Sequence, residues 1–545
     1  MKTTADIIIV GGGSAGCALA ARLSHKYSIL VLEAGDDRSK DPLITMPSNS
    51  AVVTNYYNSY FSQLGHMNPS SSDINPNLFS VMAGELLGGG TSVNGLQFVK
   101  GTKEYYDRWA TEVNDQAWGS KNVSKVFNSI EHYHPLFKNK RQAKSNKNRG
   151  SSGPVDIIPV TLFKSAAELF AHSVSTVANI PYGIDYNNWK TPIGSFVDWQ
   201  VTETPQLTRV SSYTAYLKSV MVKSKKYSHF YKSKHTKNPI YIMTMAKVQR
   251  ILFNQRHGKR PIATGVVAVV DGQCVTCSAN CKVILTAGFQ TASILQWSGI
   301  GHKKSLKNLG IDTIINNPNV GQHIMNHILI YLTGKVDGTN PNPFLPLPPN
   351  YNPQGLYIGG AQVASSMGTR AYELFGSGVS PFEVGVVPTS YTIGGLILDS
   401  KSEGYTHIQS SDPNRPPLYN FNYYSNPDDI RSAVDMYTIM YNTLVQMGLK
   451  PDGPDPVSQP NEVISTILST PSQGFHWTGM TRMSSSAKTG VVDSSGRVFG
   501  SKNLYVADIS VAPFNAAGNT QAVAYLVSNI IADKMINKSS TSSRH

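Results

Sequence analysis

The stretch Ala5–Leu23, ADIIIVGGGSAGCALAARL, is followed at Tyr27–Gly35 by YSILVLEAG. ADIIIV is a continuous apolar run, the pattern of a strand buried on both faces of a parallel sheet. The glycines come at once, and the residues after them have the apolar spacing of a helix. YSILVLEAG reads as a second strand. Strand, glycine turn, helix and strand together open a doubly wound α/β sheet. Gly11 permits the tight turn out of the strand. Gly13 lets the backbone approach a pyrophosphate, and Gly16 lets the helix pack closely on the strand. The pyrophosphate then sits at the helix N-terminus, where free N–H groups and the dipole favour negative charge. Glu33 ends the second strand, 22 positions after Gly11. An acid there accepts hydrogen bonds from adenosine ribose hydroxyls. The stretch is a dinucleotide site, and by itself it does not separate NAD from FAD.

A chain of 545 residues exceeds one simple core, so two or three folding units are expected, built from discontinuous segments. No window holds the run of about 20 apolar residues that a membrane span needs. Only MKTTA precedes the first strand, which leaves no room for a secretory signal. The expected location is cytoplasmic or intracellular. Four cysteines fit a reducing compartment. Cys274, Cys277 and Cys281 lie close together, but no second Cys or His group accompanies them. The segment reads as a β-hairpin, GVVAVVDGQ leading in and CKVILTAG leading out, and no metal is expected. The long middle section contains a proline-rich irregular loop within Gly338–Gly355. Beyond it, DIRSAVDMYTIMYNTLVQMG has the periodicity of an amphipathic helix.

The formal charge is +14. Two runs carry much of it: Lys138–Arg149 and Lys223–Lys237, each with six basic residues and no acid. Both are read as exposed loops. Such runs are usually solvated, and the alternative is a face for nucleic acid or another polyanion.

A second glycine-rich segment, AGELLGGGTSVNGLQFVKG (Ala83–Gly101), resembles the corresponding signature of the glucose–methanol–choline (GMC) oxidoreductases. Gly84, Leu87, Gly88, Gly89, Thr91, Asn94, Gly95 and Gly101 are in register. Four later segments are similar to the family in the same order: Thr291–Gly301, VGQHIMNH (Val320–His327), SSDPNRPPLYNFNYYSNPDD (Ser410–Asp429) and GRVFGSKNLYVADISVAP (Gly496–Pro513). Glu85, Lys100, Ala292 and Asn326 depart from the usual residues. The resemblance implies a Rossmann-like FAD-binding domain from 1–155, 206–326 and 475–535. A substrate domain with an antiparallel sheet comes from 156–205 and 327–474, and 536–545 is a polar tail. It implies FAD held by Gly11, Gly13, Ser14, Gly16, Glu33, Ala34, Gly89, Thr91, Asn94, Gly95, Val248, Asp508, Ile509 and Thr520. Some members link FAD covalently through a histidine where this chain has Val93, so bound FAD is expected to be non-covalent.

GFHWTGMTRM (Gly474–Met483) and APFNAAGNTQAV (Ala512–Val523) take their meaning from the same resemblance. It implies that His476 is the catalytic base and that Asn519, 43 positions on, is its partner. Alcohol oxidation needs a group that takes the hydroxyl proton while hydride leaves the carbinol carbon for flavin N5. A neutral imidazole does this near pH 7. An amide holds the alkoxide oxygen. Phe475 and Trp477 flank the base as pocket walls or core. The expected activity is FAD-dependent oxidation of a primary or secondary alcohol, with oxygen or another acceptor reoxidising the flavin. One alternative is a hydroxynitrile-lyase-like protein that keeps FAD structurally. The other is a GMC scaffold reused as a structural or nucleic-acid-packaging component, with a virion as its location. A homodimer is left open.

Overall fold

The computed structural model describes residues 2–46, 61–67, 79–135, 149–161, 163–235, 237–255, 257–338, 341–345, 359–364, 370–380, 387–469 and 472–541. The opening stretch forms strand β1 (Thr4–Val10), helix α1 (Ser14–Leu23) and strand β2 (Ile29–Leu32). Ile7, Ile8 and Ile9 are fully buried, which is why this strand has no polar alternation. Each such side chain contributes about 1.5–3 kcal/mol of burial.

The same sheet continues with β3 (Met221–Lys223), β4 (Phe230–Ser233), β5 (Ile240–Met243), β6 (Ala246–Asn254), β7 (Ile262–Val270) and β8 (Gln273–Leu285). The spatial order is β6-β7-β8-β1-β2-β5-β4-β3. Strands β8, β1, β2 and β5 run parallel, and the flanks are antiparallel hairpins. All three clustered cysteines lie on β8, within the β7–β8 hairpin.

A second sheet is antiparallel and contains β9 (Ile328–Lys335), β10 (Gly360–Ala364), β11 (Arg370–Ser380) and β12 (Ser390–Ile397). Its order is β9-β12-β11-β10, and Gly194–Phe196 pairs with β10 at the far side. Helix α2 (Pro427–Gln446) covers one face. Asn426 caps α2 by accepting from the Asp428 N–H at 2.9 Å, with Pro427 in the first turn. On that face Tyr372 donates its hydroxyl to Asp435 at 2.8 Å. The strand period of two then sends Glu373, Phe375 and Ser377 to the other face, where they line a cavity. Strand β13 (Leu504–Val506) returns to the first sheet and pairs in parallel with β8. Helix α3 (Gln521–Thr541) follows; Arg22 of α1 pairs with its Asp533. The helix therefore runs into the segment expected as a polar tail.

The basic runs differ from expectation. The lysines of Lys223–Lys237 are exposed as expected, and Lys225, Lys226, Lys234 and Lys237 lie outside strands, but the run also contains the end of β3 and all of β4, where Phe230 and Tyr231 are buried. Phe230 and Tyr231 are neighbours and so point to opposite faces of β4; both faces are covered there, and of the strand's residues only Lys232 is exposed. Most of Lys138–Arg149 lies outside the described residues, as does most of the proline-rich loop. The Arg149 side chain is buried, not exposed. Its guanidinium meets Glu131 at 2.6 Å and lies over the Tyr133 ring. Lys100 reaches the same carboxylate, so this buried anion has two cationic partners.

Candidate active site

The glycine turn is sterically closed on one side and open on the other. Gly11 has φ +103°, and a Cβ there would lie 2.6 Å from the Thr286 carbonyl oxygen. A Cβ on Gly16 would lie 1.9 Å from the Gly11 carbonyl oxygen. Gly13 ends the turn, and the nearest atom to a Cβ there is the Gly89 Cα at 3.7 Å. No side chain caps α1. Its first-turn N–H groups therefore face a cavity of about 500 Å³ with the helix dipole behind them.

Glu33 lies against the glycine turn. One carboxylate oxygen accepts from the Gly12 N–H at 2.7 Å, the other from the Gly35 N–H at 2.9 Å. Burial, only partly offset by these bonds, pushes its pKa up to about 7. The second glycine segment abuts the first: the Gly88 N–H donates to the Gly12 carbonyl at 2.8 Å.

Gly11, Gly13, Ser14, Glu33, Ala34, Gly89, Asn94, Gly95, Val248, Asp508, Ile509 and Thr520 line this one cavity. Gly16 and Thr91 do not. Gly16 serves helix packing, as its Cβ contact requires. The Thr91 hydroxyl donates to the Gly88 carbonyl at 2.5 Å and accepts from the Ser212 N–H at 2.9 Å. Thr91 therefore braces the second glycine loop and does not reach into the cavity. Asp508 is buried and accepts from the Gly288 N–H (2.9 Å), the Thr291 hydroxyl (2.7 Å) and the Ser510 N–H (2.9 Å). These bonds fasten the turn after β8 to the strand end of β13. Val93 lies in the wall at the linkage position.

His476 and Asn519 face the same cavity. The Asn519 Nδ2 lies 3.4 Å from the His476 Nε2, and the buried Asn519 Oδ1 has no hydrogen-bond partner among the described residues. Trp477 packs on Phe289 with ring centroids 4.2 Å apart, and Phe475 is set edge-on to Trp477. Both Phe475 and Trp477 line the cavity, so they are walls as well as packing. Burial, and then the neighbouring His327, hold the His476 imidazole well below the ordinary histidine pKa. The ring is neutral at pH 7, the state a base requires.

Sequence reasoning left out two residues here. The Asn326 Oδ1 accepts from the His476 backbone N–H at 2.9 Å, and its amide donates to the Tyr423 hydroxyl at 2.6 Å. His327 is fully buried, with its Nδ1 2.8 Å from the His476 Nδ1. Both belong to VGQHIMNH; nothing in one dimension links them to a residue 150 and 149 positions away. Among the described residues, the group of metal-type ligands that converges is His132, His134 and Asp156, outside this cavity.

A doubly wound sheet whose glycine cradle faces an antiparallel sheet across one cavity is the arrangement of a flavoprotein oxidoreductase. Family models described as GMC oxidoreductase match residues 5–329 and 400–528. The chain belongs to the GMC oxidoreductase family. It is 27% identical to an oxygen-dependent choline dehydrogenase of Sinorhizobium fredii, over 98% of this chain and 96% of that one. It is 26% identical to an alcohol dehydrogenase [acceptor] of Pseudomonas putida, over the same shares. In fold it is similar to pyridoxine 4-oxidase from Mesorbium loti, with a TM-score of 0.80 at 21% identity, covering 98% and 99% of the two chains. A fungal aryl-alcohol oxidase gives 0.76 at 17% identity, covering 99% and 100%. Among the described residues no helix is long and apolar enough to cross a membrane.

Proposed function

We propose that the protein oxidises a primary or secondary alcohol, with His476 as the base and Asn519 as the group that holds the substrate oxygen. The observation that carries this reading is the 3.4 Å pair of His476 Nε2 and Asn519 Nδ2, on the wall of the cavity that the glycine cradle opens. One hydroxyl placed between them donates to Nε2 and accepts from Nδ2. The cradle of Gly11, Gly13 and Gly89 with Glu33 would hold FAD, which would supply the acceptor for hydride from the carbinol carbon. The residues supply the rest: Asn519 orients the oxygen, His476 removes its proton, and Asn326 holds the His476 backbone in place. Leu329, Tyr331, Phe375, Leu396, Phe475 and Trp477 make much of the remaining wall, which favours an alcohol with an alkyl or aryl body over a sugar. An anaerobic screen of aryl, alkyl, sugar and choline alcohols, read as bleaching of the flavin band, tests the reading. No reduction by any alcohol contradicts it and favours the lyase alternative.

FAD is held non-covalently in this reading, because Val93 offers no nucleophile at the linkage position. Acid precipitation is expected to release the yellow cofactor into the supernatant; a yellow pellet refutes this. The FAD-binding unit is assigned to 1–155, 206–326 and 475–535 and the substrate unit to 156–205 and 327–474, with the cavity between them.

Glu33 makes FAD binding pH-dependent. Ribose hydroxyls donate to the ionised carboxylate and so favour it, lowering a pKa that starts at about 7. Binding below that value releases a proton. Affinity is expected to fall as pH drops through 7, by at most about tenfold per unit. Reconstitution of apoprotein at pH 6 and pH 8 measures it, and a flat profile, or one that Glu33→Gln leaves unchanged, contradicts the assignment.

The exposed lysines of the β3–β4 hairpin favour polyanion binding as a second reading. Retention on heparin that falls steeply with salt, and falls further when those lysines are neutralised, is the expected sign.

A further inference from the structure

The contact between His327 and His476 determines more than proximity. His327 Nε2 lies 2.7 Å from the backbone carbonyl oxygen of Ala516. A carbonyl only accepts, so this nitrogen carries a proton. In the neutral ring the lone pair is then on Nδ1. That lone pair lies 2.8 Å from His476 Nδ1, so the proton between the rings belongs to His476. His476 is thereby placed in its Nδ1–H form, and its Nε2 is bare. The bare nitrogen is the one beside the Asn519 amide in the cavity. The direction of every bond follows from one backbone carbonyl.

We propose that His327 is the positioning residue that sets the His476 tautomer, and that it is also the place to which the proton moves. The inference rests on His476 being the base. The alcohol O–H bond breaks and an N–H bond forms at His476 Nε2. The Nδ1–H of His476 then passes to His327 Nδ1. His476 ends neutral and protonated on Nε2, and His327 ends as a cation with both nitrogens protonated, Nε2 still donating to Ala516. No electrons move in this relay; the pair takes up one proton and one charge. Two adjacent buried cations do not form, which agrees with His327 opposing protonation of His476. The bland alternative is a packed histidine whose only role is to tie the start of β9 to the loop before α3.

The test uses the FAD-loaded enzyme with its best alcohol, and histidine-selective 15N labelling. In the unaltered protein the His476 resonances, assigned by their loss in His476→Ala, are expected to show a protonated Nδ1 and a bare Nε2. His327→Phe is expected to slow flavin reduction roughly 10- to 100-fold through kcat more than KM, the weight of a residue that orients a base. His327→Asn puts an amide oxygen near the former Nδ1 and is expected to restore part of that loss and the Nδ1–H tautomer, since it still accepts. A protonated Nε2 on His476 in the unaltered protein overturns the proposal. So does a His327→Phe enzyme with wild-type rates, a His327→Asn enzyme that folds, binds FAD and has a protonated His476 Nε2, or a His327→Asn enzyme with the full wild-type rate, since an amide cannot receive the proton. If instead His476→Ala itself reduces flavin at the wild-type rate, it is the base assignment that fails.

Discussion

His476→Ala is expected to lower the rate of flavin reduction by alcohol by roughly 10²- to 10⁴-fold, the usual weight of a positioned general base. The magnitude follows from what the cavity offers in its place. Asn519 donates but has no basic nitrogen, and His327 is buried behind His476 with its Nε2 committed to Ala516. Nothing else among the groups described at the pair takes the hydroxyl proton. FAD content is expected to be unchanged, because the glycine cradle and Glu33 lie at the other end of the cavity. Stopped-flow reduction under anaerobic conditions gives the rate, and the flavin-to-protein absorbance ratio gives the content. Wild-type reduction rates in this variant return His476 to a packing role. Asn519→Ala is expected to slow reduction by less, because it removes an orienting donor and leaves the base.

Gly16→Val is expected to remove FAD from the protein. A Cβ at this position lies 1.9 Å from the Gly11 carbonyl oxygen and 2.9 Å from the Thr286 hydroxyl. Gly11 has φ +103° and is itself wedged against the Thr286 backbone, so the turn has no direction in which to yield. The strain must be relieved by lifting α1 off β1, which moves the first-turn N–H groups away from the pyrophosphate position. Overpacking of about 1–3 kcal/mol transferred to the site weakens FAD binding roughly 5- to 150-fold, at 1.4 kcal/mol per factor of ten. The purified variant is expected to be largely colourless and to take up added FAD only at high concentration. A variant that purifies with the full flavin band contradicts the packing argument and the pyrophosphate position together.

The elements that were legible in the sequence share one property: their signal is local. β1, the glycine turn, α1 and Glu33 occupy one short continuous stretch, and each step of that stretch is dictated by backbone sterics or by burial of adjacent residues. Helix α2 was legible for the same reason, since its apolar period is contiguous. Strand β4 was missed because the charge of the run hides the short stretch in which Phe230 and Tyr231 are buried. Arg149 was misread because its partners Glu131 and Asp185 lie 18 and 36 positions away, and composition gives no sign of them.

The sequence by itself determined the glycine turn and, through ordered segments that resemble one family, most of the residues that line one cavity. It could not determine how those residues act on one another. That the His476 Nε2 lies beside Asn519, that Asn326 holds the His476 backbone and that His327 stands behind the ring depend on contacts between chain segments about 40, 150 and 190 positions apart. Thr91 was assigned to the cofactor and turned out to brace a loop, because only packing decides which way a side chain at a glycine turn points. Hydrogen-bond direction is set by what each nitrogen meets in space, and that is a property of the folded chain alone.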